Sequence, residues 1–123
     1  MAGRTREREA RAALSKAEAE RLAVRDRIEQ RIEEASASLG LYLHDIEIMR
    51  DAVVPASEHS LKAIRAAYEA NRSDFLTLLN ATRDLAKARL ELYEAQVMAS
   101  QAQAELHRAL AADAASPVEE DQP

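Results

Sequence analysis

Three histidines, His44, His59 and His107, are the residues of this chain best suited to metal binding or acid–base work. Their spacing argues against both. On one helix, His44 and His59 would stand about 20 Å apart. No Glu-x-x-His pair faces another, so the ligand set of a bundle metal site is missing. There is no Ser/His/Asp set, no glycine-rich phosphate loop and no pair of carboxylates in a cleft. The expectation is solvated histidines, no enzyme activity, no metal and no cofactor. A different constellation lies mid-chain: Tyr68, Asn71, Arg72, Ser73, Asp74, Phe75, Leu76 and Leu79, with Thr77 and Asn80 interleaved. Turn formers beside a dense apolar cluster suit a chain reversal and a docking surface.

The elements that position this stretch must be helices. Of 123 residues, 47% are apolar but only 3% aromatic, and charged residues make up 32%. The apolar content is therefore mostly Ala and Leu, and with few Gly and Pro the composition signals long helices or a coiled coil. There are no cysteines, so disulfide and thiolate chemistry are excluded. No apolar run approaches the roughly 20 residues that span a bilayer, and the charged N-terminus does not read as a secretory signal. The net charge of −5 hides an asymmetry: residues 1–31 hold nine cations and six acids, and the remainder eight and sixteen. The basic end alternates its charges, as in Glu7 and Arg11 at i,i+4, which suits a solvated helix face better than nucleic acid.

The pattern predicts a first helix over about 4–70, a turn at 71–73, a second helix over about 74–112 and a disordered acidic tail over 113–123. Between Ile32 and Ala56 an apolar heptad stripe includes Ala35, Leu39, Tyr42, Ile46, Met49 and Val53. Past Pro55 it moves over by one, to Ser57, Leu61, Ile64 and Tyr68. A kink or local unwinding near the proline would explain that shift. The second helix has a regular stripe from Leu78 through Leu85, Leu92 and Ala99 to Ala109. Beside it lies a second one, Leu79, Ala86, Leu90, Tyr93, Val97 and Ala104. A lone two-helix hairpin cannot bury both, which calls for neighbours.

Between the helices, Asn71 tolerates the left-handed conformation that ends a helix. Ser73 or Asp74 can cap the next one. Helices joined by so short a turn lie antiparallel. The fold class is therefore all-α, a long antiparallel helical hairpin of coiled-coil type. Laid out from its tip, Ile64 faces the level of Leu79, Ile46 that of Val97 and Ile32 that of Ala111. Residues before about 31 are then left without a partner in the chain.

The stretch "DAVVPASEHSLKAIRAAYEANRSDFLTLLNATRDLAKARLELYEAQVMASQAQAELHRAL" resembles the C-terminal segment of outer-membrane efflux proteins, the TolC-like family. Tyr68, Asn71, Leu76, Leu78, Leu79 and Ala81 occupy the places of the family's tip motif, and Pro55 sits where a proline is common. The resemblance implies an α-helical barrel through the periplasm beneath an outer-membrane β-barrel, built as a homotrimer. It implies a tip at the periplasmic entrance that meets the adaptor protein of a tripartite pump with an inner-membrane component. Adaptor docking would then involve Tyr68, Asn71, Arg72, Ser73, Asp74, Phe75, Leu76 and Leu79. Thr77 and Asn80 match positions where some members carry entrance-lining acids; neither is charged here. Asn71 replaces the family's usual Gly, and only one hairpin of the family's repeat is present, as in a fragment.

Each residue has a second reading. Tyr68 is either a gating tyrosine or an aromatic that closes the hairpin. Asp74 is an adaptor contact or a helix cap, and Phe75 with Leu76 a docking patch or packing under the turn. For the whole chain, two function classes stand: a passive component of an efflux channel, or a cytosolic helical hairpin that binds partner helices. The resemblance favours the first and the missing signal the second.

Overall fold

The computed structural model describes residues 2–116. Among them there is no strand. Helix α1 spans Ala2–Ile48, a π-helical turn Met49–Val53, helix α2 Val54–Glu69 and helix α3 Phe75–Ala115. Helix α3 outruns its expected end, so Asp113 to Ala115 are helical and do not belong to a disordered tail. The rest of that expected tail, from residue 117 on, lies outside the described residues. The chain divides into two compact units, one of residues 36–104 and one of residues 1–35 with 105–123.

The unit of residues 36–104 is an antiparallel hairpin with a narrow core. Val54, Leu61, Ala81, Leu85 and Ala88 are buried, and Met49, Ile64, Leu78 and Leu92 pack against them. The α3 residues here are the expected stripe, with Leu and Ala alternating. Ala at every second position lets the helices approach closely, while Leu supplies the apolar area that drives the contact. Ala99 and Ala102 continue the buried row. Across the helices, Arg89 donates to Glu58 at 3.3 Å. Both side chains are largely exposed, so this pair aligns the helices more than it stabilises them.

Pro55 has a local answer, a π-helical turn just before it. The stripe does not pass through Val53 and Ala56, both of which are exposed; it restarts at Val54 and continues through Ser57, Leu61 and Ile64. Met49 and Val54 are five residues apart, and the Val54 amide donates to the Met49 carbonyl, one π-helical turn back. The expected local unwinding near the proline is thus present, and it lies in the turn just before it. In a regular α-helix the Pro55 ring would clash with the Asp51 carbonyl and leave it without a donor. The wider turn relieves that clash and inserts one residue into the heptad, which keeps the apolar stripe on one face. The same turn carries an exposed ion pair, Arg50 to Asp51 at 2.8 Å.

In the unit of residues 1–35 and 105–123, all of residues 2–27 are exposed, whereas Ile28 and Ile32 are half-buried and Ala35 is buried. Ala109 is the most buried residue of α3, at 2% exposure. Arg31 donates to Glu105 at 3.3 Å. The expected register set Ile32 beside Ala111, so this pair lies about two helical turns nearer the tip. The two long side chains span part of that difference. The exposed segment is stabilised along its own surface, with Lys16–Glu20 at 4.0 Å and Arg25–Glu29 at 3.7 Å, both i,i+4 pairs.

Deleting Val53 should convert the π turn to an α turn by bringing Met49 and Val54 to a spacing of four. With Pro55 present, the proline then sits inside a regular helix and the deletion should cost about 3 kcal/mol. In a Pro55→Ala background the same deletion should cost less than about 1 kcal/mol. Denaturant unfolding followed by circular dichroism measures both; equal costs would show that the proline does not set the turn.

Candidate functional site

The chain reverses between Glu69 and Phe75, and backbone hydrogen bonds account for how. Asn71 has φ 57°, in the left-handed region. Its amide donates to the Tyr68 carbonyl at 3.0 Å, and the Arg72 amide donates to the Ala67 carbonyl at 2.8 Å. This pair of bonds is a Schellman motif, which satisfies carbonyls that the end of α2 would otherwise leave open. Asparagine can hold this conformation at modest cost, because its short amide side chain can bond locally. The expected left-handed Asn71 is thus observed.

Helix α3 is capped at once. The Asp74 carboxylate accepts from the Thr77 amide at 2.8 Å, and the Asp74 carbonyl accepts from the Leu78 amide at 3.3 Å. Asp74 is therefore the N-cap, the cap reading of the two held open for it, and Ser73 is not. Hydrogen bonds from the Thr77 hydroxyl and then from its backbone amide hold the Asp74 carboxyl below the usual carboxylate range. Thr77 is engaged in closing this cap, although its position is exposed. Asn80, the other candidate lining residue, is also exposed.

The aromatic and apolar residues of the tip separate into two groups. The rings of Tyr68 and Phe75 meet edge to face across the turn, with centroids 6.4 Å apart and planes at 60°. Such pairs contribute about 0.5–1.5 kcal/mol beyond area burial, so Tyr68 helps to close the hairpin. Phe75 and Leu76 nevertheless remain 61% and 60% exposed. Leu79 is half-buried, Ser73 is half-buried, and Asn71 and Arg72 are exposed. The fold thus brings Tyr68, Asn71 and Asp74 into one turn and leaves Phe75 and Leu76 facing outward.

Two further features lie outside the tip, the first of them the surplus stripe that calls for neighbours. On α3, Leu90 and Tyr93 are 55% and 63% exposed, and Ala86 and Ala104 are also exposed. This is the second stripe, unpartnered over most of its length. A groove also runs beside the π turn. Ile48, Met49, Ala95 and Met98 give it an apolar floor, with Tyr42 at one end, and Asp45, Glu91 and Glu94 line it with carboxylates. Its signal in the sequence is faint, since Met49 and Ala95 read as ordinary stripe residues and the acids as solvated faces. His44, His59 and His107 are all exposed, and no group of three or more His, Cys, Asp or Glu among the described residues could hold a metal ion.

No helix among the described residues is long and apolar enough to cross a membrane. Comparison with known proteins found no matching family model, no matching characterised protein and no matching solved structure.

Two outcomes test this geometry. Asn71→Gly should be neutral or slightly stabilising, whereas Asn71→Val should cost about 1–2 kcal/mol, because a β-branched residue resists the left-handed region; thermal unfolding measures both. The Asp74 cap should also be acid-sensitive. Its folded carboxyl titrates below its unfolded value, so its stabilisation is complete above the ordinary carboxylate range and is lost as pH falls through the folded value. Asp74→Asn, which still accepts a bond, should remove that part of the acid dependence. An unchanged acid-unfolding profile would contradict it.

Proposed function

We propose that this hairpin is a wall element of a TolC-like efflux channel, with its tip at the periplasmic entrance. The single observation that carries this reading is the tip. A left-handed residue at Asn71 stands where the family has Gly, and it precedes a capped helix start with Phe75 and Leu76 exposed. Apolar side chains left outward at the end of a hairpin mark a contact site. In this reading they dock the periplasmic adaptor of a pump that also has an inner-membrane component.

The second apolar stripe of α3 supports the same reading. A helix with one apolar face on its own partner and another outward suits lateral packing in a closed ring, here a homotrimer. The protein then works without catalysis or cofactor, as a passive conduit for solutes at the outer membrane. The uncharged Thr77 and Asn80 give this entrance no acidic ring. The exposed stripe also suits a second reading, a hairpin outside any channel that binds partner helices through Leu90 and Tyr93.

Grafting residues 36–104 into a complete channel of the family and introducing Phe75→Asp tests the proposal. Susceptibility to exported compounds and the amount of trimer are read together. The expected result is loss of resistance with normal trimer. Normal resistance would overturn the docking role, and loss of trimer would place Phe75 in the assembly core.

A further inference from the structure

We propose that the groove beside the π turn seats the exposed N-terminal helical segment of a second copy of this chain, within residues 4–27. The inference stands apart from the channel reading and rests on shape, charge and exposure. The groove is built from two rows at helical spacing: Tyr42, Asp45, Ile48 and Met49 on one side, Glu91, Glu94, Ala95 and Met98 on the other. Each row covers about two helical turns, or roughly 10 Å. That is the footprint of a short amphipathic helix laid into a groove, anchored at positions three and four apart. The two methionines can adapt their shape to the incoming side chains.

Charge selects the occupant. Asp45, Glu91 and Glu94 line the groove, and no Lys or Arg lines it with them. A partner should therefore be basic and helical, with a narrow apolar stripe. Residues 2–27 have those properties. They are helical and exposed throughout. They hold eight cations against five acids. Ala10, Leu14 and Ala17 recur at spacings of four and three over about 10 Å, and Arg6 and Arg11 lie close to them. Leu14 and Val24 are 61% and 51% exposed. Burying Leu14, with Ala10 and Ala17 beside it, against Ile48, Met49 and Met98 removes apolar surface from water on both sides, while opposite net charge steers the encounter.

The absence of cysteine in the native chain makes the contact directly testable. A Leu14→Cys chain is mixed with a Met98→Cys chain and oxidised, and sedimentation of the native chain is followed with concentration and salt. The expected results are a disulfide joining the two variants, and an association that weakens as salt rises. Glu91→Lys with Glu94→Lys should weaken association about tenfold and abolish the cross-link. Adding Arg6→Glu and Arg11→Glu to the partner chain should restore it. A chain that stays monomeric at all concentrations would overturn the proposal. So would a cross-link indifferent to the charge reversals. Association that survives them but is lost with Leu90→Asp and Tyr93→Asp would also overturn it, and would assign the contact to the outer face of α3.

Discussion

The left-handed backbone of Asn71 reverses the chain, and the packing of residues 36–104 depends on that reversal. With Asn71 at φ 57°, the amides of Asn71 and Arg72 fold back onto the last turn of α2. The next residues then start α3 in the opposite direction under the Asp74 cap. Leu78, Ala81 and Leu85 are thereby brought onto Val54, Leu61 and Ile64. Without the reversal, the apolar stripes of α2 and α3 would each face water, and a helix of this kind gains most of its stability from burying such a face.

A second constraint acts on that contact from within. A heptad stripe stays on one face only while its spacing alternates three and four. Pro55 disturbs that rhythm because its ring cannot sit in a regular helix without a clash. The five-residue step from Met49 to Val54 absorbs the disturbance in one π turn, so the buried face resumes at once. The same turn widens the helix beside Ile48 and Met49, where the acid-lined groove lies. An adjustment to packing is thus next to a groove of this unit.

The narrowness of the core decides what remains outside. Two helices can bury one stripe each, so α3 leaves Leu90 and Tyr93 in solvent and the tip leaves Phe75 and Leu76. Polar groups do not present a comparable surplus, since no buried side-chain nitrogen or oxygen among the described residues lacks a partner. The unmet demand is therefore apolar, and it lies on surfaces exposed to solvent. This is why the function proposed for the hairpin is one of assembly and docking.

Much of this was already legible in the order of residues. Ala and Leu at heptad spacing in α3 determined its buried row, because that periodicity leaves one face available. Asn71 and Asp74 determined the turn and the cap through local chemistry that acts over a few residues. The proline announced a break in the first helix. Tertiary packing decided how that break is used, because the step from Met49 to Val54 returns the apolar stripe to the face that meets α3. Packing also decided that Arg31 meets Glu105 and that Tyr68 closes on Phe75. The groove belonged to this second class as well. Its residues are scattered through two helices, and only the distance between those helices turns ordinary stripe and surface positions into one concave, acid-lined surface.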